Sequence, residues 1–353
     1  MLAAVLFFPV SAGAISAEKA ILLDASTGRV LYEKDADSRS LIASTTKIMT
    51  ALVVCEQCNV MDRMRIPKEA VGIEGSSMYL KAGEVLTVQE LLYGLMLASG
   101  NDAAVALAIY CGGTVEGFAQ LMNDKAHELG LKGTHFENPN GLDSPGHYST
   151  ARDLARLAAY AMENPIFAKT VSTKSIRIGQ RTLQNHNKLL SYVEGVDGVK
   201  TGYTKAAGRI LVSSALRQGR RLIAVTINDG NDWSDHRDLL EKGFEKYHPQ
   251  RIVSEGDCVG TAEILSGVSQ RVQLLAGADF DFSLASDEDP YLVLSGPGFV
   301  FAPVVQGQEA GYAYICIGEK TVGKIPVIYG QTVEQKKIPK KHFWDGWFGG
   351  AKK

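Results

Sequence analysis

Apolar residues recur along the chain with two different periods, and the changes between them mark the elements. Ile21-Leu22-Leu23-Asp24 and Val30-Leu31-Tyr32 are short apolar runs either side of Ser26-Thr27-Gly28, the pattern of a β-hairpin. From Ser44 onward Ile48, Met49, Leu52 and Val53 recur at helical spacing. Thr87 to Ala98 repeats that spacing, and Thr87 with Glu90 three residues on has the form of a capping box. Further helices are expected over Asp102 to Tyr110, Phe118 to Leu129 (stopped by Gly130) and Thr150 to Met162, which closes before Asn164-Pro165. Arg209 to Leu216 and Arg221 to Asn228 are strand-like and joined by Arg217-Gln218-Gly219-Arg220, the clearest hairpin in the chain. Asp235 to Tyr247 then reads as a closing helix ended by His248-Pro249.

After Pro249 the helical period disappears. Val272 to Leu275, Tyr291 to Leu294, Tyr312 to Ile317 and Lys324 to Tyr329 are short β-rich runs separated by Gly, Pro or Asp. The expected organisation is an α+β domain over 18–250 followed by a small all-β domain over 251–332. The ends differ from both. Leu2 to Val10 is wholly apolar and leads into Ser11-Ala12-Gly13-Ala14 and Ile15-Ser16-Ala17, the form of an export signal (1–17) with its cut near Ala14 or Ala17. No Lys or Arg precedes that run, and it is shorter than the roughly 20 residues that span a bilayer. In the last segment, 333–353, six lysines surround Phe343, Trp344, Trp347 and Phe348, whose spacing puts them on one helical face. A basic, aromatic-faced tail of this kind suits the surface of a membrane.

Composition narrows the class without naming a function. With 45% apolar and 22% charged residues in a chain of 353, wholesale disorder is excluded, and 36 glycines without a period exclude a collagen-like chain. A net charge of −2 provides no field to attract nucleic acid, and none is expected as a partner. Cys55-x-x-Cys58 lacks the second Cys or His pair of a zinc site and lies in a helical run, so no metal is expected there. The five cysteines are expected to be buried small hydrophobes, with at most one disulfide.

Three short motifs carry the candidate chemistry: Ser44-Thr45-Thr46-Lys47, Ser99-Gly100-Asn101 and Lys200-Thr201-Gly202. Each alone is weak, as the second S-x-x-K at Ser16 to Lys19 illustrates; their order and context are what count. A serine at a helix start lies beside free backbone N–H groups and the positive dipole end. Lys47, one turn along, reaches its hydroxyl. Lys200 would bring a second positive charge near Lys47, and like charge together with burial lowers an ammonium pKa until the amine can act as a base. Ser99 suits a proton relay, Asn101 suits holding Lys47 and a substrate peptide group, and Lys200 with Thr201 suits a terminal carboxylate. Gly202 would let a ligand approach the strand edge.

With these motifs in place the chain resembles the serine-type D-alanyl-D-alanine carboxypeptidases, the low-molecular-mass penicillin-binding proteins. The resemblance runs over nearly the whole chain and includes Asp24-Ala25-Ser26-Thr27-Gly28, Asn138-Pro139-Asn140-Gly141-Leu142, His147 to Asp153, and Gly195 to Thr204. It implies a catalytic domain of the serine β-lactamase/transpeptidase type, an antiparallel sheet with flanking helices, on an exported protein held peripherally at the extracytoplasmic face of the cell membrane. It implies a nucleophile Ser44, general base Lys47, proton relay Ser99, and supporting Asn101 and Lys200. Substrate binding falls to Lys200, Thr201, Gly202 and Tyr203, with the N–H groups of Ser44 and Tyr203 as the oxyanion hole. The implied partners are peptidoglycan pentapeptides ending in D-Ala-D-Ala and β-lactam antibiotics, with no cofactor or metal.

Two departures from the family pattern are visible. Asn185-His186-Asn187 lacks the Arg that some members carry there, and Tyr203 stands where others have His or Phe. Three other functions share parts of the pattern. A class A β-lactamase has S-x-x-K and K-T-G, but here the middle motif is Ser-Gly-Asn and no later Glu-x-x-Leu-Asn follows. A muropeptide endopeptidase on the same scaffold, and a penicillin-binding sensor that acylates without turnover, both fit the same residues.

Overall fold

The computed structural model describes residues 15–296 and 298–337. The apolar run at 2–10 and the aromatic tail from 338 lie outside them, as does all of the expected export signal except Ile15–Ala17. The chain divides into two compact units between Tyr247 and His248.

In the first unit β1 (Lys19–Asp24) and β2 (Val30–Lys34) form the expected hairpin. A 3-10 turn, Ala43–Thr46, leads into α1 (Lys47–Gln57). The ribbon of β3 (Arg63–Arg65) and β4 (Val85–Thr87) precedes α2 (Val88–Met96), α3 (Asn101–Gly112) and α4 (Val115–Glu128). Next come α5 (Ala151–Ala161), α6 (Pro165–Ser172) and the ribbon of β5 (Ser175–Ile178) and β6 (Arg181–Gln184). The unit closes with β7 (Val196–Thr204), β8 (Gly208–Arg217), β9 (Arg220–Ile227) and α7 (Asp232–Lys246). The main sheet is antiparallel in the order β2-β1-β9-β8-β7, which leaves β7 at an edge.

The sheet strands read as unbroken apolar runs because both faces are covered. Period-two alternation sends Ile21, Leu23, Ile223 and Val225 into the core shared with α1, α2, α3 and α5. Ala20, Leu22, Leu222 and Ala224 go the other way, against Leu239 and Leu240 of α7. Local chemistry fixes the ends. Thr87 Oγ1 accepts from the Glu90 N–H (3.1 Å) while Glu90 Oε2 accepts from the Thr87 N–H (2.7 Å), the capping box expected there. The β8–β9 turn places Gln218 and Gly219 at φ 50° and 80°, the twist-matched turn of a tight hairpin. One helix not expected from the sequence is α6, which Asn164 caps and Pro165 begins.

The second unit has no helix among its described residues. β10 (Tyr247–Val253) pairs with β13 (Phe280–Ala285). The other strands are β11 (Cys258–Leu265), β12 (Arg271–Ala276), β14 (Pro290–Ser295), β15 (Phe299–Phe301), β16 (Glu309–Ile317) and β17 (Lys320–Tyr329). They form a six-stranded sheet in the order β14-β16-β17-β12-β11-β15. The fold is thus the expected α+β domain followed by an all-β one. The cysteines depart from expectation: only Cys316 is buried, Cys258 is exposed, and Cys55, Cys58 and Cys111 are half-buried free thiols.

Candidate active site

The 3-10 turn presents Ser44 one residue after Ala43, which holds a left-handed φ of 45°. Lys47, the first residue of α1, is fully buried. Its Nζ lies 2.8 Å from Ser44 Oγ, 2.7 Å from Asn101 Oδ1 and 2.7 Å from the Asn140 carbonyl. The Asn101 amide is oriented by its other end, where Nδ2 donates to the Glu74 carbonyl at 2.6 Å. Two of the three partners of the lysine are therefore acceptors only. A neutral amine has two N–H groups and one lone pair, so these two acceptors take the N–H groups. The lone pair is left for the one partner with a proton to give, Ser44.

Burial and the charge of Lys200 hold the Lys47 ammonium well below its ordinary pKa, with Asp102 pulling weakly the other way. Lys200, on β7, is itself buried, and desolvation brings its pKa down to about 7. Its Nζ donates to the Thr201 carbonyl at 2.8 Å. Ser99 sits in the turn between α2 and α3 with φ 57°. Ser44, Ser99, Thr201, Gly202 and Tyr203 line one groove of about 300 Å³, together with Ser76, His186, Arg209, Ile210, Asp232 and Trp233. All three motifs thus converge on one place.

The support of the groove was less visible in the sequence. Asp102 accepts from Ser77 Oγ (2.6 Å) and from the N–H groups of Met78 and Leu80 (both 3.0 Å), which ties the 74–80 loop to the start of α3. The loop over 138–142 is docked from below. Thr50 Oγ1 donates to the Pro139 carbonyl at 2.6 Å, and Gly141 adopts φ 86° where a Cβ would lie 1.8 Å from the Ala43 carbonyl oxygen. His147 Nδ1 accepts from the Glu137 N–H at 3.1 Å, so Nε2 carries the hydrogen toward Thr46 Oγ1 at 2.7 Å. Burial keeps this imidazole neutral, with its pKa lowered to about 4.

Gly202 lines the groove and has a further, structural reason to be glycine. The turn of the chain approaches it: a Cβ there would stand 3.2 Å from the Thr45 nitrogen and 3.3 Å from the Ile42 carbonyl oxygen. Glycine at 202 lets β7 pack closely against the turn that carries Ser44. In the Asn185-His186-Asn187 stretch only His186 faces the groove. Asn185 Nδ2 donates to the Val171 and Thr173 carbonyls (3.0 and 3.1 Å), and Asn187 Nδ2 to that of Gly198 (2.8 Å). The groove instead has a guanidinium from Arg209, paired in two-pronged fashion with Asp232 (2.8 Å). Neither residue was singled out from the sequence, since an Arg and an Asp 23 positions apart form no motif. Among the described residues no group of three or more His, Cys, Asp or Glu is placed to hold a metal.

Comparison with known proteins covers both units. The sequence profile described as D-alanyl-D-alanine carboxypeptidase matches residues 7–231, and that of the C-terminal domain of penicillin-binding protein 5 matches residues 247–335. A D-alanyl-D-alanine carboxypeptidase of Bacillus subtilis is 33% identical over 327 residues, covering 88% of this chain and 84% of that protein. The crystal structure of a D-alanyl-D-alanine carboxypeptidase from Francisella tularensis superposes with a TM-score of 0.80 at 26% identity, over 95% of this chain and 98% of that one. Penicillin-binding protein 5 from Haemophilus influenzae gives 0.78 at 29% identity, over 92% and 99%.

Proposed function

Since the chain belongs to the serine-type D-alanyl-D-alanine carboxypeptidases, we propose that it removes the terminal D-alanine of peptidoglycan pentapeptides through an acyl intermediate on Ser44. The observation that carries this mechanism is the place of Lys47 Nζ, 2.8 Å from Ser44 Oγ with the acceptor oxygens of Asn101 and Asn140 as its other partners. Ser44 Oγ attacks the carbonyl between the two D-alanines and Lys47 takes its proton. The N–H groups of Ser44 and Tyr203 receive the oxyanion. The C–N bond then breaks, and the proton returns to the departing amine by way of Ser99. Water hydrolyses the ester, giving the shortened peptide and restoring Ser44.

Lys200 and Thr201 meet the terminal carboxylate. Arg209, with 44% of its side chain exposed on the same wall, adds a further cation to a site whose Asn-x-Asn stretch has none. A β-lactam enters as a substrate mimic and stays as the ester of Ser44. The expected result with purified protein is release of free D-alanine from a peptide ending in D-Ala-D-Ala, and a covalent penicillin adduct seen by intact mass. A peptide left whole would overturn the assignment.

The reading extends to location. The protein is exported, works in cell-wall formation, and is held on the outer face of the membrane by the basic aromatic segment 333–353. Among the described residues no single helix is long and apolar enough to cross a bilayer. A chain ending at Gln335 is expected to leave the membrane pellet and stay in the supernatant with its activity unchanged. Continued sedimentation of that truncated chain would refute the anchor.

A further inference from the structure

Three residues at the margin of the expected export signal are built into the catalytic domain. Ile15 and Ala17 are buried in the cluster formed by Leu22, Leu189, Leu211 and Leu240. Between them, the Ser16 N–H donates to Asp235 Oδ2 at 2.5 Å, and Ser16 Oγ lies 2.9 Å from both Asp229 Oδ1 and Asp235 Oδ2. Lys34 Nζ donates to the carbonyls of Ile15 (3.3 Å) and Ala17 (2.6 Å). The sequence offers two cuts, after Ala14 or after Ala17, and the two have opposite consequences for this arrangement.

A cut after Ala17 removes all of it. Two carboxylates, Asp229 and Asp235, would lose the serine that bridges them, and two buried apolar slots would open. A cut after Ala14 keeps every one of these contacts and adds something. Among the described residues Asp229 Oδ2 is buried without a hydrogen-bond partner. Cleavage before Ile15 creates an α-ammonium one residue away from Ser16, the residue that bridges the two acids and leaves one carboxylate oxygen without a donor.

We propose that the leader is hydrolysed at the Ala14–Ile15 bond, and that Ile15–Ala17 remain as a structural part of the mature enzyme. The agent is a peptidase selective for small residues, for which Ala12-Gly13-Ala14 supplies alanines at the third and first positions before the cut. Water adds across the amide, giving the Ala14 carboxylate and the Ile15 amine, which takes up a proton. The retained residues act on the groove through the segment they hold. The Asp229 N–H donates to the Arg209 carbonyl at 3.0 Å, and Asp232 and Trp233, between the two carboxylates in sequence, line the groove.

This proposal rests on the reading of the N-terminus as an export signal, and the experiment separates the two. The full chain is expressed in an exporting bacterium, and the protein isolated from the cell envelope is examined by N-terminal sequencing and intact mass. The expected first residues are Ile-Ser-Ala-Glu-Lys. A chain beginning at Glu18 would overturn the proposal and leave export standing, whereas an uncut chain retained in the cytoplasm would overturn both. A second variant starts at Glu18 by design. It is expected to melt at least about 5 °C lower than the chain starting at Ile15 and to show a several-fold higher KM for the D-Ala-D-Ala peptide. Equal melting of the two chains would remove the structural role.

Discussion

Ser44→Ala will lower D-alanine release by at least about ten-thousandfold while leaving the fold intact. Among the described residues Ser44 is the only hydroxyl on the Lys47 amine, whose other two partners are the acceptor oxygens of Asn101 and Asn140. Without it the lone pair of Lys47 has no proton to take and no oxygen to activate. The side chain removed is small and its loss opens no cavity of consequence, so the melting temperature should stay within a degree or two. The variant should also form no penicillin adduct by intact mass. Release by the variant at the wild-type rate would place the nucleophile elsewhere.

The second large effect concerns Lys200, and here activity and stability move in opposite directions. In the unfolded chain this lysine titrates at its ordinary 10.5, but in the fold burial brings it to about 7. Between those values the unfolded state holds a proton that the folded state has given up. Stability therefore rises with pH across that window. Below pH 7 both states are protonated and the full cost of burying the charge remains, on the order of 5 kcal/mol before relaxation and water penetration reduce it. Lys200→Met removes that cost. The variant should be the more stable protein in denaturant titrations at pH 6, with an advantage that shrinks toward pH 10.

The same variant should be a poor enzyme. The charge of Lys200 helps to depress Lys47, so its removal raises the Lys47 pKa, and the acid limb of the kcat/KM profile moves to higher pH. An unmoved acid limb would show that the two lysines are not coupled. A variant less stable than wild type at every pH would show that the Lys200–Thr201 hydrogen bond outweighs desolvation. Activity would then be resting on a residue the fold also needs.

How much of this was legible in the sequence depends on whether the information was local. Ser44 and Lys47 are one helical turn apart, and Thr87 and Glu90 cap a helix three residues apart, so both pairs were visible in local spacing, the first gaining its meaning only from the two motifs that follow it. Asn101 and Lys200 were found because their motifs have a known partner arrangement, not because anything in their surroundings marks them. The third partner of Lys47 is a main-chain oxygen, and Asn140 could not announce it: its stretch was recognisable, but its task was not. Arg209 and Asp232 come from β8 and the start of α7, and only the folded sheet brings them together. At Gly202 the approach of the 42–45 turn was not foreseen, because a glycine reports that something comes close without saying what. The short ribbons β3–β4 and β5–β6 were missed since strands of three or four residues hold too few periods to register.

The place of β7 at the end of its sheet has a consequence for what this enzyme can tell apart. An edge strand exposes main-chain donors and acceptors along one side, and these have the same spacing whatever side chains a visiting peptide carries. If the proposed stem peptide pairs along that edge, its recognition is indifferent to the middle of the peptide and strict only about its direction and its end. It is also indiscriminate by nature, since another protein's strand would fit as well. The chain limits this within the strand, where the Asn187 amide occupies the Gly198 carbonyl.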